Sequence, residues 1–297
     1  MHGINSPALC PVQSESPEPA LPDNEIHRTA KTRPWFHHEF ISSSVKDFTP
    51  TRPNGAKLNG ERAVNGRPVL NTILLRIPEA EFEAIQPHLK FTPLELAACL
   101  QREHAAINTV YFVNRGLASM LVETHDGRSV EVGVSGREDM IGLPLAAGLD
   151  NFTPSVVVQV PGDGFQVDGA IMKSALETLP ELRRTLVRRL GIRSAQFAQN
   201  AACNRLHNVR QRMARWLLVT SDRLDTNLIT TTHDFLSKMI GTDRPTVSVA
   251  LADLERDGIV ARSRGSILIV NRTNLEQQSC ECYRTFKQFN AELGLTK

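Results

Sequence analysis

Cys and His are the residue types that ligate metals, and the chain has five cysteines: Cys10, Cys99, Cys203, Cys280 and Cys282. Their spacing reads as too scattered for a zinc site. Cys280 and Cys282 sit two apart with no second pair, and lack the usual C-x₂₋₄-C spacing. Adjacent His37 and His38 lie in a proline-rich stretch and read as solvated side chains. Neither a metal nor a cofactor is therefore expected. Catalytic constellations are missing too: there is no Gly-rich phosphate loop with a following Lys, no Gly-x-Ser-x-Gly and no His-Glu-x-x-His. Gly162-Asp163-Gly164 reads as a turn. These observations argue against an enzyme.

A different chemistry, contact with a polyanion, fits the C-terminal part. Residues 67–179 hold 8 Lys+Arg against 14 Asp+Glu, a net of −6, whereas residues 180–297 hold 19 against 11, a net of +8. A basic part beside an acidic one confines any polyanion contact to the former. Within it, Arg244 stands at the start of a segment in which Val247, Ala250, Leu251 and Leu254 follow i, i+3, i+4, i+7 spacing. Opposite that apolar stripe lie Pro245, Val249, Ala252 and Arg256, with Ser248 on the flank. A solvated helix face would carry more charge. Small side chains with a few long donors suit close approach to the major groove.

The elements that position these residues are punctuated by turn chemistry. Thr231 to Asp234 predicts a capped helix start, with Phe235, Leu236, Met239 and Ile240 as its apolar face. Gly241 ends it, Thr242 or Asp243 caps the next helix, and Pro245 falls in the first turn, where a missing N–H is harmless. Gly258 ends that second helix. Apolar runs at 259–261 and 267–270 then bracket Arg262 and Arg264, which predicts a hairpin with arginines near its tip, suited to phosphate.

Upstream, residues 1–66 hold eight of the 17 prolines and few aliphatic residues, which predicts a disordered extension. Residues 69–77 and 79–89 read as short helices split by Pro78. From Val110 the period becomes that of strands. Turns are predicted at Asn114-Arg115-Gly116, Asp126-Gly127 and Pro161–Gly164, as in a small antiparallel barrel or roll. After Pro180, Leu182, Leu186, Val187 and Leu190 form one stripe, read as a dimer helix that leaves its arginines outside, with a bend at Gly191.

The segment Leu236–Ile259 resembles the helix-turn-helix of the Crp/Fnr family of bacterial transcription regulators, in which a Ser-Arg-Glu-Thr-Val-Ser/Gly-Arg core opens the recognition helix. Residues 208–218 resemble the start of the family's DNA domain, and Ser279–Tyr283 resembles a C-terminal signature of one subgroup. The resemblance implies an α+β chain: an N-terminal antiparallel β-roll of the cyclic-nucleotide-binding type (67–179), a long dimerisation helix (180–206) and a C-terminal winged helix-turn-helix (207–297). It implies a homodimer on double-stranded DNA, contacted by Thr242, Arg244, Pro245, Thr246, Ser248, Val249, Arg262 and Arg264, with RNA polymerase as a candidate partner. Arg244 matches the family's base-contacting arginine, whereas Pro245 replaces a glutamate and Val249 a second arginine. In the family's nucleotide cassette a glutamate holds the ribose and an arginine the phosphate. Here Leu143-Pro144 and Thr153-Pro154-Ser155 occupy those places, so cyclic AMP is not the expected effector and the ligand is unknown. Iron–sulfur sensing is not expected either, because Cys10 stands alone near the N-terminus.

The first residues lack the basic and apolar stretches of a signal peptide, and no apolar run reaches membrane-span length. A cytoplasmic chain with reduced thiols is expected. The alternatives are a sensing module that acts through protein partners, or an enzyme with an unrecognised site.

Overall fold

The computed structural model describes residues 62–152 and 154–292. The elements, in chain order, are β1 (Ala63–Val64), β2 (Arg67–Pro68), α1 (Thr72–Arg76), α2 (Glu79–Ile85), β3 (Lys90–Leu94), β4 (Cys99–Gln101), β5 (Thr109–Glu123), β6 (Ser129–Ser135), β7 (Met140–Ile141) and β8 (Ser155–Asp168). Then follow α3 (Gly169–Thr178), α4 (Pro180–Leu206), α5 (Val209–Leu224), β9 (Leu228–Thr230), α6 (His233–Ile240), α7 (Arg244–Arg256), β10 (Val260–Ser263), β11 (Ser266–Ile269), α8 (Arg272–Gln278) and α9 (Cys282–Glu292). Of the segment 1–66 expected to be disordered, residues 1–61 lie outside the described residues. Within the rest, β1 pairs with β2, and Val64 is buried.

β3, β8, β5 and β6 form one antiparallel sheet in that order, with β4 on β8 and β7 on β5. β5 and β8 are long because two expected turns are not turns. Asn114–Gly116 and Pro161–Gly164 face each other inside one ladder, where Arg115 pairs with Asp163. The register shifts on both sides of Arg115, so these are bulges that bend the ladder. Glycine permits the crossing: a Cβ on Gly162 would sit 2.1 Å from the Arg115 carbonyl oxygen. Asn114 turns inward, accepts from the backbone N–H groups of Leu70 and Asn71, and donates to the Pro68 carbonyl. It thereby fastens the entry of α1 to the sheet. The expected hairpin at Asp126-Gly127 does form, between β5 and β6, with Gly127 at φ +78°.

Phe112, Phe165, Leu74, Ile85 and Leu143 fill the core between the sheet and the flanking helices. α4 runs unbroken for 27 residues, about 40 Å. The helix continues through Gly191, where an added Cβ would meet nothing within 4 Å. The predicted stripe is divided. Leu182 and Leu186 are buried in the roll's core and Leu190 packs against it, while Val187 points outward. Nor do all the arginines face solvent. Arg189 and Arg193 are buried against Asp139, which Arg189 reaches at 3.0 Å. Burial alone would push the Asp139 carboxyl up, but the two guanidinium groups outweigh it and hold it far below the usual carboxylate range.

Candidate nucleic-acid interface

α5 begins with a complete capping box: Asn208 accepts from the Gln211 N–H, and the Gln211 side chain accepts from the Asn208 N–H. Its Met213 and Leu217 pack with Leu236, Met239 and Ile240 of α6 and Val247, Leu251 and Leu254 of α7. The N-cap of α6 is Thr232, one residue later than the sequence suggested, and its hydroxyl accepts from the Phe235 N–H. Gly241 turns the chain at φ +66°, and Asp243 caps α7 by accepting from the Thr246 N–H at 2.7 Å. Strands β10, β11 and β9 form the wing, in that order.

This scaffold places six of the predicted contact residues at the N-terminal end of α7 and the other two, Arg262 and Arg264, on the wing. Arg244 and Pro245 are exposed, Thr242, Thr246 and Ser248 are half-buried, and Val249 is 62% exposed although it is apolar. Arg244 lies 3.4 Å from Asp234. The Ser248 hydroxyl donates to the Arg244 carbonyl at 3.0 Å, so it must accept the 2.9 Å hydrogen bond from His233 Nδ1–H. His233 was not singled out in the sequence. Its pKa is lowered by burial and then by Arg262 and Arg244, which marks a concentration of positive charge where helix and wing meet. Arg262 is not a loose wing cation. Its Nε donates to Glu255 at 2.8 Å and its backbone N–H to the same carboxylate at 3.1 Å, which ties β10 to α7. Arg264 is exposed at the wing's tip beside Gly265.

The interface is docked on the roll. A Cβ on Gly241 would lie 2.8 Å from Val130 of β6, and Leu121 and Val157 join the core that α5, α6 and α7 share. Glu131, also on β6, is enclosed against α5. Its carboxyl is pushed up to about 7 by desolvation, against the pull of the Ser119 hydrogen bond and of Arg215 and Arg223.

In the roll, residues 143–147 form a 3₁₀ turn whose Leu143, Leu145 and Ala146 are buried in the core that holds Leu182 and Leu186. Thr153 lies outside the described residues. The Ser155 hydroxyl donates to the Leu121 carbonyl at 3.3 Å.

The cysteines require a correction. Spacing suggested that they were scattered, yet Cys203, Cys280 and Cys282 converge with His207, because α4 ends where α9 begins. All three are free thiols.

A winged helix-turn-helix unit is thus joined by a long helix to an antiparallel roll. Residues 211–278 match the Crp-like helix-turn-helix domain. No curated protein matches the chain in sequence. Among solved structures, FixK2 from Bradyrhizobium japonicum is similar at 17% identity and a TM-score of 0.57, covering 65% of this chain and 98% of its own. CLP, the c-di-GMP responsive global regulator of Xanthomonas campestris, is similar at 16% identity and a TM-score of 0.56, covering 65% and 99%. A Crp/Fnr-family regulator from Eubacterium rectale is similar at 17% identity and a TM-score of 0.57, covering 68% and 94%. The chain carries a Crp-like helix-turn-helix domain at residues 211–278 and shares the fold of these solved structures.

Proposed function

We propose that the chain is a sequence-specific transcription regulator that binds double-stranded DNA in the cytoplasm as a homodimer. One observation carries this reading: the exposed end of α7 presents Arg244, Pro245 and Val249, an apolar and sparsely charged face that close approach to base edges favours and solvation does not. Arg244 reads bases, Arg264 contacts phosphate, and Thr242, Thr246 and Ser248 lie at the groove's edge. Arg262 braces the wing through Glu255 and adds charge. Pro245 and Val249 offer no polar group to a base edge, so the operator differs from that of relatives with glutamate and arginine there.

The dimer reading rests on the outward face of α4. Val187, Gly191, Ser194, Ala195 and Ala198 are exposed or half-buried along one side, and their small size lets a second helix approach closely. One recognition helix reads only a few base pairs, so two are needed. Selection of bound fragments from genomic DNA tests the reading. The expected site is an imperfect palindrome with half-sites about 34–36 Å apart. Tight binding by a monomer to one half-site is the contrary result. Binding to a protein partner with no DNA retention at low salt would instead favour a sensing module.

A further inference from the structure

Cys203 lies in the last turn of α4, and His207 follows four residues later at the helix end, on the same face. Cys280 and Cys282 flank Glu281 where α8 gives way to α9. The three sulfurs and a ring nitrogen of His207 all lie within 4.8 Å of one another. Cys203 Sγ is 3.5 Å from Cys280 Sγ, and Cys282 Sγ is 3.6 Å from His207 Nδ1. Around a tetrahedral zinc with bonds of about 2.3 Å to sulfur and about 2.0 Å to nitrogen, the S···S and S···N edges are about 3.8 and about 3.5 Å. We propose that Cys203, His207, Cys280 and Cys282 form a Cys₃His site for a zinc-class divalent ion.

The surroundings agree with the geometry. All three cysteines are at most 3% exposed, so the site is closed and leaves no position for substrate: its role is structural. His207 Nε2 lies 3.1 Å from Glu281 Oε1. That carboxylate accepts a hydrogen bond from Nε2–H, which fixes the tautomer and leaves the Nδ1 lone pair for the metal, the arrangement usual for ligating histidines. Gln199 Nε2 donates to Cys282 Sγ at 3.0 Å, as amides do to metal-bound thiolates. Charge balances as well. Zinc with three thiolates carries a net −1, and the nearby Arg212 and Arg215 are both 8% exposed and act on the Cys203 sulfur. On binding, three S–H protons leave to solvent as three metal–sulfur bonds form, and His207 supplies the fourth pair of electrons.

The topology says what the ion would do. The ligand pairs flank residues 208–279, the whole helix-turn-helix unit with its wing. Bridging Cys203 to Cys280 joins positions 77 apart and fixes the last helix to the end of α4. The unit is thereby held at its base, whatever surface α7 meets.

The full chain, purified under reducing conditions without chelator, is the material for the test, with zinc measured by plasma mass spectrometry. One zinc per chain is expected, with loss of nearly all of it in Cys280→Ser/Cys282→Ser. Cobalt added to the stripped wild-type chain should give the intense visible bands of tetrahedral cobalt and sulfur-to-cobalt charge transfer. His207→Cys should keep the ion and strengthen the charge-transfer band. Glu281→Gln should keep the stoichiometry and weaken zinc affinity about 10–100-fold. If the serine variant does not fold, the cobalt spectrum and Glu281→Gln decide. The proposal is overturned if the reduced chain takes up neither zinc nor cobalt, or if the cysteine variants bind as well as wild type. A Cys203–Cys280 disulfide in a metal-free protein, or an iron–sulfur chromophore, overturns it equally.

Discussion

Arg223, in the last turn of α5, and Glu138, in the loop after β6, meet at 3.0 Å with both side chains buried. Glu138 also lies 4.0 Å from Arg189 of α4, whose guanidinium bonds Asp139 at 3.0 Å. One charged cluster thus joins the roll, the long helix and the first helix of the helix-turn-helix unit. Such a cluster is poor evidence of added stability, because desolvation offsets the attraction. It does penalise any change that leaves one member unpaired. Glu138→Ala leaves Arg223 buried without its carboxylate and should destabilise the chain by about 3–5 kcal/mol. Denaturant unfolding measures this. A loss below about 1 kcal/mol would mean that water already reaches the pair.

Glu131 predicts a pH dependence. Its carboxyl is raised to about 7 in the folded chain, above the ordinary 4.5. Between those values the folded state binds more protons than the unfolded one, so this group's contribution to stability falls as pH rises and levels off above 7. Glu131→Gln keeps an acceptor for Ser119, which donates to the Glu131 carboxylate at 2.8 Å. The variant should flatten that slope, read as urea midpoints at pH 5 and pH 8. An unchanged slope would show that Arg215 and Arg223 keep Glu131 ionised throughout.

On the proposed function, Arg244 and Arg264 separate base reading from phosphate contact. Arg244→Ala should relax preference at one position per half-site and cost about 1–3 kcal/mol. Arg264→Ala should weaken all sequences alike and reduce the salt slope by roughly one phosphate contact. Competition binding on a mutated operator series at two salt concentrations reads both. The reverse pattern would exchange the roles of helix and wing.

The helix-turn-helix was legible because its signals are local. Thr232, Gly241, Asp243, Pro245 and Gly258 each act on backbone within a turn of themselves. Gly162 and Gly164 misled for the opposite reason. Glycine and proline usually mark turns, yet here they admit a crossing strand that lies 48 residues away at Arg115. Cys203 and Cys280 are 77 positions apart, so no spacing rule unites them, and only the return of the C-terminal helix to α4 does. The stripe on α4 was real in its period but ambiguous in its partner: Leu182 and Leu186 serve the chain's own roll. Arg189 and Arg193 lie on that inward face, where the acids of the loop after β6 receive them.

The roll predicts weak binding of cyclic nucleotides. A buried phosphate needs a cationic partner or several free donors to offset desolvation. No arginine lies between positions 138 and 182, and the Ser155 hydroxyl is spent on the Leu121 carbonyl. Where a ribose-binding glutamate would stand, Leu143 is fully buried and Pro144 is buried beside it, and the turn they begin seats α4. Introducing a carboxylate there would disrupt that packing before it could create a site. Leu143→Glu should therefore destabilise the chain by several kcal/mol, since an unpaired buried charge replaces a core leucine. Calorimetry with cyclic AMP and cyclic GMP at millimolar concentration should show no saturable heat from the wild-type chain. Micromolar binding that also tightens DNA binding would refute this reading, and would require a phosphate site that the apolar 143–147 turn does not supply.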